Sequence, residues 1–121
     1  MKKTTFKITE SLLNLENMIL SHMDIPRTTF HRRAMDYFFA QKKEINPRLL
    51  ITKRDHPDYI KKSATEQIYI DEEREKALKK LAEENDCGIT IVLFQLLLDY
   101  CCVQAPIILG DVDELYQEKQ K

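Results

Sequence analysis

Two short segments in which apolar and polar residues alternate constrain this fold more than any other feature of the chain. The first is TTFKITES, residues 4–11, and the second is EQIYIDEE, residues 66–73. Alternation over so few residues is typical of a β-strand with one buried face. Because a lone strand leaves its backbone donors and acceptors unpaired, we expect the two strands to pair with each other as an antiparallel ribbon.

Each strand begins a unit with the same order of elements, and a shift of 62 residues brings one unit onto the other. The same shift aligns DIPRTTF with DCGITIV without a gap. Thr9 and Asp71 follow the strands directly and are good helix N-caps, and we expect Thr28 and Thr90 to cap the second helices. The pattern in each unit is therefore strand, cap, helix, break, cap and helix.

The helical patterns cover 10–22 and 29–42 in the first unit, and 72–85 and 91–103 in the second. The last of these, IVLFQLLLDYCCV, is apolar on nearly all sides, which is typical of a buried helix. Four helices behind the ribbon would supply the core that two strands alone lack. We expect the even-numbered strand residues to face these helices: Phe6, Ile8, Ile68 and Ile70.

These patterns predict a mainly α-helical chain with two short antiparallel strands and four main helices. We expect a single domain over 1–121, made of a first unit (3–42), a linker (43–63), a second unit (65–103) and a tail (104–121). The strands could pair within one chain or between two chains, because both arrangements satisfy the same pattern.

Charge is divided unevenly along the chain, although the net charge is only −1. Residues 1–63 carry a net charge of +6, and residues 64–121 carry −7. The basic half is suited to a polyanion, although an ordinary solvated surface would account for the same charges.

The composition disfavours several classes of protein. No apolar run is long enough to cross a membrane, and the N-terminus is too polar for a signal peptide. Three cysteines, with Cys101 and Cys102 adjacent, do not suggest disulfides, so we expect small buried thiols in a reduced, cytoplasmic setting. The chain has no nucleophile motif and only two glycines, which indicates neither an enzyme nor a cofactor or small-molecule substrate. The histidines show no metal-site spacing, and we expect His31 at the surface or at a helix cap.

The repeated strand-helix-helix order resembles the ribbon-helix-helix family, the Arc and MetJ class of repressors. The resemblance covers 3–42 and 65–103, and LAEENDCGITIVLFQLLLDY in the second unit is especially similar to the Arc repressor. Family members are usually dimers of a single unit, whereas this chain is similar to the tandem forms of some accessory proteins of conjugative plasmid transfer. The resemblance therefore implies a pseudo-twofold dimer within one chain.

The family inserts its ribbon into the major groove of DNA, where alternate strand residues contact base edges. The resemblance implies base contacts from Lys3, Thr5, Lys7, Thr65, Gln67 and Tyr69. It also implies that the second helix of each unit places its N-terminus on a phosphate, through Arg27, Thr28 and Thr29 in the first unit and Thr90 in the second. Ile89 and Ile91 replace Arg27 and Thr29 in the second unit and cannot reinforce that contact.

The function implied by the resemblance is sequence-specific binding of double-stranded DNA by a transcriptional repressor or regulator. One alternative is an accessory DNA-binding protein of plasmid transfer or recombination. Others are an antitoxin-like module that binds a toxin through its tail, and a structural module without DNA contact. The acidic second unit either adds selectivity at an asymmetric site or serves as a structural partner.

Two segments outside the repeated units have open roles. The basic linker run ITKRDHPDYIKK either contacts phosphates beside the ribbon or is a solvated connector. The tail combines apolar residues with a short helical pattern: Ile107, Ile108 and Leu109, then Val112, Leu115 and Tyr116. It either covers the apolar second helix or joins tandem chains that lie side by side on DNA.

Overall fold

A computed structural model describes residues 1–41 and 44–109. The described elements are β1 (Lys2–Ile8), α1 (Glu10–His22), α2 (Arg27–Gln41), a short 3-10 helix (Pro47–Leu50), β2 (Ala64–Ile70), α3 (Glu72–Glu84) and α4 (Ile89–Ile108). The chain is mainly helical, with a two-stranded antiparallel sheet and four α-helices, which confirms the predicted arrangement at this level. Lys2, Glu10 and Arg27 begin the first unit's elements, and the second unit's elements begin 62 residues later in each case.

The two strands pair within the chain, antiparallel, with Thr5 opposite Gln67. Residues on the inner face of the ribbon are buried against the helices, as the alternation predicted: Phe6, Ile8, Ile68 and Ile70. The predicted N-caps of α1 and α3 are also confirmed. The side chain of Thr9 accepts a hydrogen bond from the Leu12 amide at 3.1 Å, and that of Asp71 accepts one from the Arg74 amide at 3.4 Å.

The predicted caps of the other two helices are wrong. Because α2 begins at Arg27 and α4 at Ile89, Thr28 and Thr90 lie inside the first helical turn. Main-chain carbonyls start these helices two residues earlier than predicted. The Pro26 carbonyl accepts hydrogen bonds from the Thr29 and Phe30 amides at 3.1 Å each, and Gly88 caps α4 without a side-chain hydrogen bond.

Helix α4 is the central helix of the fold and packs against α1, α2 and α3. Its buried residues occupy all sides of its N-terminal half: Val92, Leu93, Phe94, Gln95, Leu96, Leu97, Tyr100 and Cys101. It continues past the predicted end at 103 and through Pro106, so the first part of the predicted tail is helical. The helical pattern predicted around Val112, Leu115 and Tyr116 lies outside the described residues.

By length and composition, α4 could cross a membrane. The prediction that no apolar segment of the chain is long enough to cross a membrane was therefore wrong. The helix packs into the core, however, and core helices of globular proteins pass the same test. The cytoplasmic location stays a prediction. The expectation of buried thiols holds for Cys101 but not for Cys102, which is exposed, or for Cys87, which is half-buried.

The described part of the linker packs onto the core rather than crossing the surface freely. Ile45 and Leu49 are buried, and the latter lies in the 3-10 helix. Gln95 of α4 holds the start of this segment, because its Nε2 donates to the Glu44 carbonyl at 2.9 Å and its Oε1 accepts from the Asn46 amide at 2.7 Å. The linker therefore reaches β2 by a defined route along α4.

Candidate nucleic-acid interface

The outer face of the ribbon carries all six residues for which we predicted base contacts. Each is exposed: Lys3, Thr5, Lys7, Thr65, Gln67 and Tyr69. They share this face because successive side chains of a strand point to opposite sides, and the inner side is occupied by the core. The ribbon therefore presents polar and aromatic groups outward over the length of both strands.

The strand register sets which of these side chains are neighbours. Thr5 lies opposite Gln67, which occupies the equivalent position 62 residues later, so the pairing is centred on equivalent residues of the two units. Lys7 lies opposite Thr65, and its Nζ donates a hydrogen bond to the Thr65 Oγ1 at 2.9 Å. This bond holds the lysine across the ribbon on the exposed face.

The first turn of α2 lies beside one edge of this face. Thr28 is exposed there and Thr29 is half-buried. A cleft of about 450 Å³ joins this turn to β2, and its lining residues are Arg27, Thr28, His31, Thr65, Glu66, Gln67 and Tyr69. The structure thus places predicted phosphate-contact residues next to predicted base-contact residues. The positive end of the helix dipole at this turn favours an anion.

The corresponding turn of α4 is much less polar. Thr90 is exposed, whereas Ile89 and Ile91 on either side of it are half-buried and apolar. The only side-chain donor that the first three residues of α4 offer to an anion is therefore the Thr90 hydroxyl. The two ends of the ribbon are flanked by chemically different helix starts.

Four charged or titratable side chains form an ion cluster directly beneath the ribbon: Glu16, Arg27, His31 and Glu66. Nε2 of His31 lies 2.9 Å from Glu16 Oε2 and 3.8 Å from Glu66 Oε2. Arg27 donates to Glu16 and to Glu66, the latter at 3.2 Å, and its other terminal nitrogen donates to Asn17. The cluster ties together α1, α2 and β2.

One earlier expectation about this region was wrong. His31 is neither at the surface nor at a cap, because the residue is only 2% exposed and contacts Glu16. Arg27, for which we predicted a phosphate contact, is held by the two glutamates, although 39% of its side chain remains exposed toward the cleft. The positive charge that we expected beside a phosphate is therefore partly used inside the protein.

The protonation of the ion cluster follows from its burial and hydrogen bonds. Burial raises the pKa of Glu16, which is fully enclosed. Burial acts in the same direction on Glu66, but hydrogen bonds with His31 and Glu16 outweigh it and lower its pKa to about 2. Burial alone would lower the pKa of His31, but hydrogen bonds to the two glutamates raise it. Glu66 is thus the carboxylate that holds its negative charge most firmly, and the two glutamates together favour the protonated form of His31.

Among the described residues, Glu16, His31 and Glu66 are the set that could hold a metal ion. One ligand atom from each lies within 4.8 Å of the others, and carboxylate and imidazole donors suit a zinc-like cation. The guanidinium of Arg27 already lies on both carboxylates, so a divalent cation would have to displace it. In residues 1–41 and 44–109 no buried side-chain nitrogen or oxygen lacks a hydrogen-bond partner. The arrangement therefore favours a self-contained ion cluster over a metal centre.

No protein-family model, curated protein or solved structure matches this chain at a significant level. The resemblance to the ribbon-helix-helix family consequently depends on the repeated element order and on the geometry of the ribbon.

Proposed function

We propose that this protein binds double-stranded DNA through the outer face of its ribbon and acts as a transcriptional repressor or regulator. The observation that carries the proposal is the common exposed face of the six alternate strand residues. A two-stranded ribbon of this kind fits the major groove, which is about 12 Å wide. The proposed action is occupancy of a DNA site, without catalysis.

The chemistry of the exposed face is suited to reading base edges. Lys3 and Lys7 can donate to the O6 and N7 acceptors of guanine. Gln67 can form a bidentate pair with adenine, and Thr5 can offer a hydroxyl group or a methyl contact to thymine. Lys3, Thr5 and Lys7 lie along the first strand, and Gln67 lies opposite Thr5 in the middle of the ribbon. From these positions the side chains would reach consecutive base pairs.

The symmetry of the ribbon supports a tandem ribbon-helix-helix arrangement. Because Thr5 pairs with its equivalent Gln67, a pseudo-twofold axis through this pair would relate the two units. It would also relate the first turns of α2 and α4, which we propose as the two sites that contact DNA phosphates. In this arrangement one chain supplies both of the units that two subunits supply in the family's usual dimer.

The two halves of the proposed interface contribute unequally. The first strand offers Lys3 and Lys7, whereas their equivalents on the second strand are Thr65 and Tyr69. Since lysines supply the salt-dependent part of DNA affinity, we expect the first unit to contribute most of the affinity. The second unit would contribute selectivity through Gln67.

The test is a titration of the protein with the DNA upstream of its own gene at two salt concentrations. Lys7→Ala and Gln67→Ala are compared with the wild type, and Lys80→Ala on the outside of α3 serves as the control. We expect salt-sensitive, site-specific binding that both ribbon substitutions weaken, each by about 1–3 kcal/mol for a base contact. The control should bind like the wild type.

Different outcomes separate the possible roles of the two units. If only Lys7→Ala weakens binding, the second unit is a scaffold rather than a reader of bases. If the wild type binds this region no better than random DNA, the regulator proposal fails for that site. If neither the wild type nor any variant shows salt-dependent binding to any duplex, DNA binding itself is refuted.

A further inference from the structure

The two helices that begin beside the ribbon differ in the cations they carry. In its first two turns α2 has Arg27, Arg32 and Arg33, and Arg32 lines a cleft of about 610 Å³ together with Thr28 and Tyr69. The equivalent residues of α4 are Ile89, Phe94 and Gln95. A pseudo-twofold complex with DNA would therefore have helix cations beside one phosphate and none beside the other.

The linker brings a cation to the position where α4 lacks one. Nζ of Lys62 lies 4.6 Å from the centroid of the Phe94 ring, a distance typical of a cation–π interaction. Phe94 is the equivalent of Arg32 and is itself only 1% exposed. Lys62 thus places an ammonium group on the α4 residue that is equivalent in sequence to Arg32.

Within residues 1–41 and 44–109, no carboxylate lies at ion-pair distance from this ammonium group. The side chain is half-buried, and burial lowers the pKa of its amine. An external anion at this position would remove that penalty, because an opposite charge favours the protonated form.

Lys62 is part of a basic cleft rather than an isolated lysine. The lining residues of this linker cleft, about 530 Å³ in volume, are Arg54, Tyr59, Lys61 and Lys62. It combines three cationic groups with a phenol that can donate a hydrogen bond, and none of the described carboxylates lines it. Lys61 and Lys62 lead directly into β2, so the cleft lies at the end of the ribbon where Lys7 faces Thr65.

We propose that the linker cleft binds a phosphate of the DNA backbone beside the start of α4, and so supplies the cations that the first turns of α4 lack. This inference rests on the proposed DNA-binding function and specifies how the second half of the interface is completed. It assigns a role to a segment that does not belong to either repeated unit. The linker would contribute affinity that does not depend on DNA sequence.

The test is a salt titration of DNA binding by Lys62→Met, which keeps an unbranched side chain over Phe94 but removes the charge. One lost phosphate contact should weaken binding about fivefold at 0.15 M salt and reduce the slope of log K against log salt by about 0.9. The loss should be equal on specific and random duplexes, because phosphates carry no sequence information. Lys62→Arg should retain binding.

Lys80→Met is the matched control, because Lys80 is exposed and lines a cleft with Phe38 and Phe39 near the far end of α2. That end lies roughly 18 Å along the helix from Arg27. If Lys62→Met binds with the wild-type affinity and slope while Lys7→Ala weakens binding, the linker inference is wrong and the proposed function stands. If the wild type shows no salt-dependent DNA binding, both are wrong.

A second variant distinguishes a lost phosphate contact from a loss of folding. Arg54→Met combined with Lys61→Met removes two charges from exposed side chains and leaves the Phe94 contact intact. We expect this double variant to melt like the wild type and to reduce the salt slope by up to about 1.8. An unchanged slope in this variant would likewise overturn the inference.

Discussion

The ion cluster of Glu16, Arg27, His31 and Glu66 occurs on only one side of this molecule. The shift of 62 residues places Leu78, Ile89, Leu93 and Thr4 at the equivalent positions. Leu78 and Leu93 are fully buried, as is Glu16. The same packing position is therefore filled once with charges and once with leucines. Buried ion clusters often contribute no more stability than apolar groups of similar size.

Replacing the whole cluster with the residues of the second unit tests this comparison. We expect Glu16→Leu, Arg27→Ile, His31→Leu and Glu66→Thr together to leave the protein as stable as the wild type or more stable by about 1–4 kcal/mol. His31→Leu alone should cost about 3 kcal/mol, because it removes one partner from two buried carboxylates. Urea unfolding measures both changes. A quadruple variant less stable than the wild type would show that the charges contribute net stability.

His31 also links the stability of the fold to pH. Its pKa is raised above 6.5 in the native state, so the native state binds this proton more tightly than the unfolded chain does. The stability that the charged His31 contributes is complete below about pH 6.5 and is lost as the pH rises through the raised native pKa. We therefore expect the melting temperature of the wild type to fall as the pH rises above about 6.5.

The neighbours of His31 have shifted pKa values of their own. Burial raises the pKa of the Cys101 thiol to about 12, well above this range. Burial also raises the pKa of Glu16, whereas the pKa of Glu66 is lowered to about 2 despite its burial, by hydrogen bonds with His31 and Glu16. His31→Gln keeps a donor toward Glu16 but cannot titrate, so its melting temperature should decline less than that of the wild type between about pH 6.5 and 9. Equal declines in both proteins would assign the effect to other residues.

The sequence contained a signal for this cluster that single-residue reasoning misses. Glu16 stands between Leu12 and Ile19 on the apolar face of α1, and the repeat equates Glu16 with Leu78 and His31 with Leu93. A polar residue whose repeat equivalent is a leucine is expected to be buried and paired. The charged Arg32 directly after His31 instead favours a surface position for the histidine. The pairing partners themselves come from three separate elements, so only tertiary structure reveals them.

At the level of elements, helix starts that depend on a side-chain cap were predictable from the sequence. Helix starts that depend on main-chain hydrogen bonds were not. The caps of α1 and α3 depend on Thr9 and Asp71, whose side chains accept local hydrogen bonds, and both were predicted. The helices α2 and α4 begin on the carbonyls of Pro26 and Gly88, which have no distinguishing side-chain acceptor. The inward and outward faces of the ribbon were predictable because strand alternation has a fixed period.

The end of α4 was missed for a related reason. Pro106 marks a break in most helices, since it lacks an amide donor and disfavours the helical conformation before it. Here the helix passes through Pro106 and ends at Ile108. Near the last turn only one main-chain hydrogen bond is lost, and the apolar residues before it pack into the core. Packing of α4 therefore outweighs the local preference of one proline.

At the scale of the whole molecule, the decisive feature is that both strands of the ribbon belong to one chain. The linker packs on α4 through its buried Ile45 and Leu49 and through hydrogen bonds with Gln95 of α4. This packing brings β2 beside β1. Pairing within a chain replaces an association between two molecules with the closure of one loop, whose entropic cost does not depend on protein concentration. The two-unit arrangement thus removes the concentration dependence that an obligate dimer of single units would have.

We therefore expect the midpoint of unfolding to be independent of protein concentration. Urea titrations at protein concentrations that differ about 100-fold should superimpose, whereas an obligate dimer would gain about 2.7 kcal/mol of apparent stability over that range. Sedimentation at the same concentrations is the control, because it reports the mass of the native state directly. A midpoint that rises with concentration, together with a doubled mass, would mean that β1 pairs with β2 of another chain. In that case the same face would form twice in an exchanged dimer, and the protein would present two ribbons to DNA instead of one.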